Sequence, residues 1–155
     1  LAQWTLTAII YTPRQFSITM VPEQLAQEAR DAISGFCLTE CPAYCCRKGS
    51  ISLTTDELTL LTGPETERML SKQIIVKSGA DRYSLQLSYE KGCPMLLDYK
   101  CTIHDNPDRP LVCREFPIFI TGKHVHLASS CFAVKTNILF PYIRQFRESG
   151  YDVSE

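Results

Sequence analysis

The spacing of apolar and polar positions predicts short strands and modest helices along most of the chain. Trp4, Leu6, Ala8 and Ile10 alternate, as do Phe16, Ile18 and Met20. With the break at Thr12-Pro13-Arg14 between them, they predict an N-terminal strand pair or extended arm over residues 1–21. Pro22-Glu23 then starts a helix whose Leu25, Ala29, Ala32, Ile33 and Phe36 share one face, with Gly35 as the expected terminator just before Cys37. Thr54 and Glu57 have the spacing of a capping box, with Leu58 and Leu61 behind them and Gly63 closing the helix. Pro64-Glu65 opens a further short helix. Ile74–Val76 and Tyr83–Leu87 read as strands joined through Ser78-Gly79-Ala80-Asp81. Phe116–Ile120 and His124–Leu127 flank Thr121-Gly122-Lys123, a hairpin with a three-residue loop. A last helix carries Ile138, Leu139, Tyr142, Ile143 and Phe146, with Pro141 expected to start or kink it.

This mixture, with no repeats, low-complexity segments or linker, predicts one α+β domain over residues 1–155. Its 155 residues are 45% hydrophobic and 21% charged, and a chain of this length buries roughly 70% of its extended surface. A core of that size folds without covalent staples. The formal net charge is -1, with no run of like charges, which argues against direct nucleic-acid binding. The longest apolar runs, such as Leu6–Tyr11 and Phe116–Ile120, fall far short of the ~20 residues of a spanning helix, so no membrane insertion is expected.

The cysteines change the picture. Cys37, Cys41, Cys45 and Cys46 crowd into ten residues, and Cys93, Cys101, Cys113 and Cys131 follow after a long gap. A local group that fixes part of a coordination sphere, completed by a distant segment, is a common form of metal site. If the first segment is helical, Cys37, Cys41 and Cys45 converge; Pro42 argues against a regular helix, though an irregular turn also brings sulfurs together. Adjacent Cys45 and Cys46 are expected to point apart and to suit two metals, or one ligand role and one outer role, better than one small ion. Four disulfides are the alternative. Against them, eight cysteines in 155 residues fall below the ~8–10% of disulfide scaffolds. No C-x-x-C marks a redox pair. All-thiolate ligation is soft and favours zinc or iron–sulfur over calcium, magnesium or manganese.

The second group is more specific. Cys93-Pro94-Met95-Leu96, Cys101-Thr102-Ile103-His104 and Arg109-Pro110-Leu111-Val112-Cys113-Arg114-Glu115-Phe116-Pro117 follow the run ending in Cys45-Cys46 and the Leu-Thr-x-x-Glu of Leu53 to Glu57. Together they resemble the CxxCxxCC (YkgJ-like) family of zinc- or iron-chelating domains, a module also associated with flagellin lysine-N-methylases. The resemblance runs from about Gly35 to Cys131, although the first spacing here is C-x3-C where the family name has C-x2-C. It implies a cysteine-rich core at 35–131 around a metal centre, preceded by the arm and followed by a C-terminal helix and tail at 132–155. All eight cysteines are then candidate ligands of zinc or iron, an iron–sulfur cluster included.

Around those sulfurs, Arg109 and Arg114 are placed to donate to thiolates and offset their charge. The alternative is pairing with Asp105, Asp108 or Glu115. His104 reads as a residue behind the ligands, and His124 and His126 as one exposed strand face. No glycine-rich phosphate loop and no nucleophile–base constellation points to a particular catalysis. The expectation is an accessory or interaction module that docks on a larger protein. A redox or methylation-related iron–sulfur enzyme and a disulfide-stabilised secreted domain are the other readings. Thiolate ligation requires a reducing compartment such as the cytoplasm, and the start at Leu1 leaves an organellar location after processing open.

Overall fold

The structure, a computed structural model, describes residues 21–155; the strand pair expected within residues 1–20 lies outside the described residues. Helix α1 (Pro22–Ala32) begins on a proline, whose missing N–H costs nothing in a first turn, and buries Leu25, Ala26 and Ala29. The chain breaks at Ile33, which leaves helical ψ as its side chain enters the core, and continues as α2 (Ser34–Thr39). Gly35 is therefore not the terminator expected of it. It lies inside α2, Ala32 is exposed, and Cys37 rides on a helix instead of following one. A turn through Pro42 and Ala43, the latter in the left-handed region, leads to a single 3-10 turn at Tyr44–Cys46.

Strand β1 (Gly49–Leu53) follows, and then α3 (Thr55–Thr62), with the capping box in place: Glu57 N–H donates to Thr54 Oγ1 at 3.3 Å and Thr54 N–H to Glu57 Oε2 at 2.9 Å. Gly63 ends the helix as expected, and α4 (Thr66–Ser71) leads to β2 (Ile75–Gly79) and β3 (Arg82–Leu87). The three strands form an antiparallel sheet in the order β1-β3-β2, with Ile51 and Ile75 both opposite Leu85.

A small ribbon, β4 (Leu96–Leu97) and β5 (Lys100–Cys101), carries Cys101 opposite Leu96. Helix α5 (Leu111–Glu115) carries Cys113. The hairpin β6 (Ile118–Thr121) and β7 (His124–Leu127) closes with Thr121 opposite His124, so its loop is Gly122-Lys123, two residues and not three. Gly122 supplies the positive φ such a tight turn demands. After α6 (Phe132–Lys135) comes α7 (Phe140–Glu148), which Pro141 starts and does not kink. A last strand, β8 (Asp152–Ser154), runs parallel to β7. Helices with short, mostly antiparallel sheets make this an α+β fold. Among the described residues, no helix is long and apolar enough to cross a membrane.

The described residues build two apolar cores. The larger packs α1 and α7 against β6 and β7 around Ile118, Val125, Leu127, Leu139 and Phe146. The smaller packs α3 on the β1-β3-β2 sheet around Leu53, Leu58, Leu61, Ile75 and Leu85. The chain leaves the first core through α2 and the 3-10 turn and returns through α5. Both crossings carry cysteines.

Candidate metal centre

The two groups of cysteines meet. Every cysteine except Cys93 lines one cavity of about 690 Å³, and Cys93 lies behind it in the wall of the smaller core. All eight sulfurs are free thiols. Backbone geometry explains the meeting. Ala43 N–H donates to Cys37 O at 2.8 Å and folds the first group back on itself, while Cys93 N–H donates to Cys46 O at 2.7 Å and fastens the second group to it. Gly92 makes that approach feasible. Its φ is +64°, and a Cβ there would stand 3.2 Å from Cys46 O. Tyr44 stacks on Phe132 with centroids 4.7 Å apart and so brings in Cys131, the N-cap of α6. Arg47 reinforces the seam, donating to Pro42 O at 3.0 Å with its guanidinium 4.2 Å from the Tyr89 ring and 5.3 Å from that of Tyr99.

Two further ties hold α5. Glu57, besides capping α3, accepts from Leu111 N–H at 2.8 Å. Burial raises the Glu57 carboxyl, but donors from Thr54 and Leu111 outweigh that and hold it below the ordinary value. Arg30 of α1 reaches the far end of α5, donating to Glu115 O at 3.0 Å and Ile118 O at 2.6 Å, on either side of the cis Phe116–Pro117 bond. The helix bearing Cys113 is thus held by both cores.

Cys45 and Cys46 do not point apart. The 3-10 turn brings their sulfurs to 4.0 Å, a distance at which one thiol donates to the other. That hydrogen bond, with Arg109 helping against the burial, lowers Cys46 to about 7 and raises Cys45. Burial and neighbouring sulfurs push Cys37 and Cys93 up to about 11 and Cys113 up to about 12. Most of these sulfurs are therefore protonated at neutral pH until something cationic replaces the proton.

Arg109 is the cation built into the site. It donates to His104 O at 3.1 Å and to Cys113 O at 2.7 Å, while its Nε is buried with no hydrogen-bond partner among the described residues. A buried, unsatisfied guanidinium N–H is costly. Near Cys46 and Cys113, whose ionisation Arg109 favours, it fits a group that becomes anionic, such as metal-bound thiolate. Arg114 lines the same cavity but is exposed and forms no ion pair among the described residues. Pairing of either arginine with Asp105, Asp108 or Glu115 is not seen. His104 turns its ring to Asp105 at 3.0 Å and contributes to the site through its carbonyl. His124 and His126 lie on an exposed face beside Asp152 and Ser154 and are not part of the cavity wall.

Among the described residues, no three His, Cys, Asp or Glu side chains already close on a single point. The donor set nevertheless fits a soft metal: sulfurs from both segments around one cavity, with an unpartnered N–H beside them. Of the residues that hold this arrangement, Gly92, Arg30 and Arg47 are not marked by pattern. Gly92 adjoins a candidate ligand, a place where backbone crowding is expected. For Arg30, 85 residues from its acceptor Glu115, no local signal exists.

The fold and the thiol-lined cavity define a cysteine-rich α+β domain with the donors of a soft-metal centre. A family model described as "CxxCxxCC: Putative zinc- or iron-chelating domain" matches residues 36–132, more than half of the chain, and the chain belongs to that family. No curated protein and no solved structure matches it.

Proposed function

We propose that this chain is a thiolate metal-binding module with Cys37, Cys41, Cys45, Cys46, Cys93, Cys101, Cys113 and Cys131 as ligands. Zinc or iron, the latter alone or as an iron–sulfur cluster, is the metal. The observation that carries the reading is the meeting of both cysteine groups around one cavity, beside the unpartnered Nε of Arg109. The bound metal supplies the positive charge that lets the raised thiols ionise, and Arg109 offsets the excess negative charge. An accessory role is the second part of the proposal. Leu97, next to the cavity wall at Leu96, and Tyr99, part of that wall, are 64% and 49% exposed, and a partner seated at the cavity mouth would cover them.

Metal analysis and the visible spectrum of anaerobically purified protein test both parts. Stoichiometric zinc in a colourless sample supports a structural, accessory centre. A brown sample containing iron and sulfide supports thiolate metal binding, and its reversible bleaching by dithionite would replace the accessory role with a redox one. Metal-free protein with bridged cysteines would sink the metal reading.

A further inference from the structure

Eight thiolates exceed the four that one tetrahedral ion takes, and the sulfurs sort into two sets at the Cys45–Cys46 peptide bond. Cys37 and Cys131 pack on the larger core; Cys46, Cys93 and Cys113 pack on the smaller. The backbone follows the same division. Cys41 N–H donates to Phe36 O at 3.0 Å and Ala43 N–H to Cys37 O, which curls Cys37 and Cys41 into one turn. The Tyr44–Phe132 stack delivers Cys131 to that turn. On the other side, Cys93 N–H binds Cys46 O, Leu96 N–H donates to Cys93 O at 2.9 Å, and Leu96 faces Cys101 across the ribbon. Across the boundary, the sulfurs of Cys45 and Cys46 meet.

We propose that the chain holds two adjacent metal centres, one on Cys37, Cys41, Cys45 and Cys131 and the other on Cys46, Cys93, Cys101 and Cys113. The inference rests on the thiolate metal binding proposed above and specifies how the ligands divide. Each set takes two or three sulfurs from one segment and completes itself from another, the usual form of a closed thiolate site. A divalent ion with four thiolates keeps an excess negative charge. With Cys45 and Cys46 sulfurs 4.0 Å apart, the two centres repel, so the second ion binds more weakly than the first.

Native mass spectrometry of the full, reduced chain titrated with zinc(II) or cobalt(II) reads this directly. The expected result is saturation at two ions per chain, with a one-ion species on the way. The pair Cys37→Ser with Cys131→Ser should saturate at one ion, and so should Cys93→Ser with Cys113→Ser. Saturation of the wild type at a single ion overturns the division, as does loss of all metal from both folded double variants. If a double variant does not fold, the wild-type stoichiometry decides alone. A reduced wild-type chain that takes up no ion instead overturns the metal-binding reading on which the division rests.

Discussion

The larger core gathers elements from both ends of the described chain, α1 near its start and α7 near its end, on the β6-β7-β8 sheet. The smaller is local, built almost entirely between Cys46 and Cys113. Among the described residues the first buries thirteen side chains and the second seven, of which Cys93 is one. The smaller also counts Cys46 and Cys113 among the partly buried residues at its edge. A unit of under ~70 residues rarely supplies more than about 3–5 kcal/mol from its core alone. The larger core also counts cysteines, Cys131 buried and Cys37 at its edge, and both cores draw on similar lengths of described chain. Its advantage therefore lies in the number of buried side chains, and it is expected to outlast the smaller when the seam opens. What joins them is a pair of chain crossings, each bearing cysteines, so a metal held by those cysteines would close both at once.

Removing the metal is the strongest way to break that symmetry. A structural thiolate site contributes on the order of 10 kcal/mol of apparent folding free energy, comparable to a domain's whole net stability. After chelation under reducing conditions, hydrogen exchange should accelerate first in β1, β3, the β4–β5 ribbon and α5. Amides of α1, β7 and α7 should stay protected longest. Simultaneous loss in both cores would mean that the larger core is no more independent than the smaller.

Gly92→Ala probes the crossing itself. The new Cβ would stand 3.2 Å from Cys46 O and 3.2 Å from Leu96 Cδ2, at a φ of +64° that alanine seldom adopts. A cost of about 1–3 kcal/mol is expected, with lower metal content. The same change at Gly35, where a Cβ meets nothing within 4 Å inside α2, should be neutral or slightly stabilising by helix propensity. Equal melting of the two variants would show that Cys46 and Cys93 can separate at little cost.

These positions also show what was legible beforehand. The capped helix α3, the hairpins and the grouping of the cysteines were readable because their signals are local: a Thr-x-x-Glu spacing, alternation around a turn, sulfurs close in sequence. Strand β8 was not, since Asp152–Ser154 is short and polar and exists only because β7 lies alongside it. Gly35 misled for a related reason: tertiary anchoring of Ile33, and not glycine's flexibility, set the break. The second role of Glu57 is likewise invisible in a capping box, which uses one carboxylate oxygen and leaves the other free to hold Leu111. The cysteine spacings pointed to thiolate chemistry, but how the cysteines divide their packing between two cores depends on contacts that no spacing encodes.

Arg109 and Arg114 sharpen the comparison further, because the sequence treats them alike and the structure does not. Arg109→Met should weaken metal retention by roughly 10–100-fold in a chelator competition, the usual scale for a group that supports ligands from behind. Arg114→Met should change it little, since exposed charge is screened. Equal losses would mean that the buried Nε has no special relation to the sulfurs.

The smallest effect is a break in the pH dependence of metal affinity, and it belongs to the Cys46 side of the seam. Each thiol that binds as thiolate must first lose its proton, so affinity falls as pH falls, by ~10-fold per pH unit for each proton displaced. Cys37, Cys93 and Cys113, raised by burial to about 11 and 12, are protonated throughout the neutral range and contribute a steady slope. Cys46, lowered to about 7 by the Cys45 hydrogen bond and by Arg109, adds its proton to that slope only as pH falls through about 7. The metal-linked stability of the chain is therefore lost toward acid, more steeply below that point than above it. Zinc(II) affinity measured from about pH 6 to about pH 9 should show the break. In Arg109→Met, with its thiolate-stabilising charge removed, the break should move to higher pH. A wild-type profile with one unchanging slope would show that Cys46 is not preferentially ionised. The electrostatic difference between the two halves of the seam would then disappear, leaving only the difference in their cores.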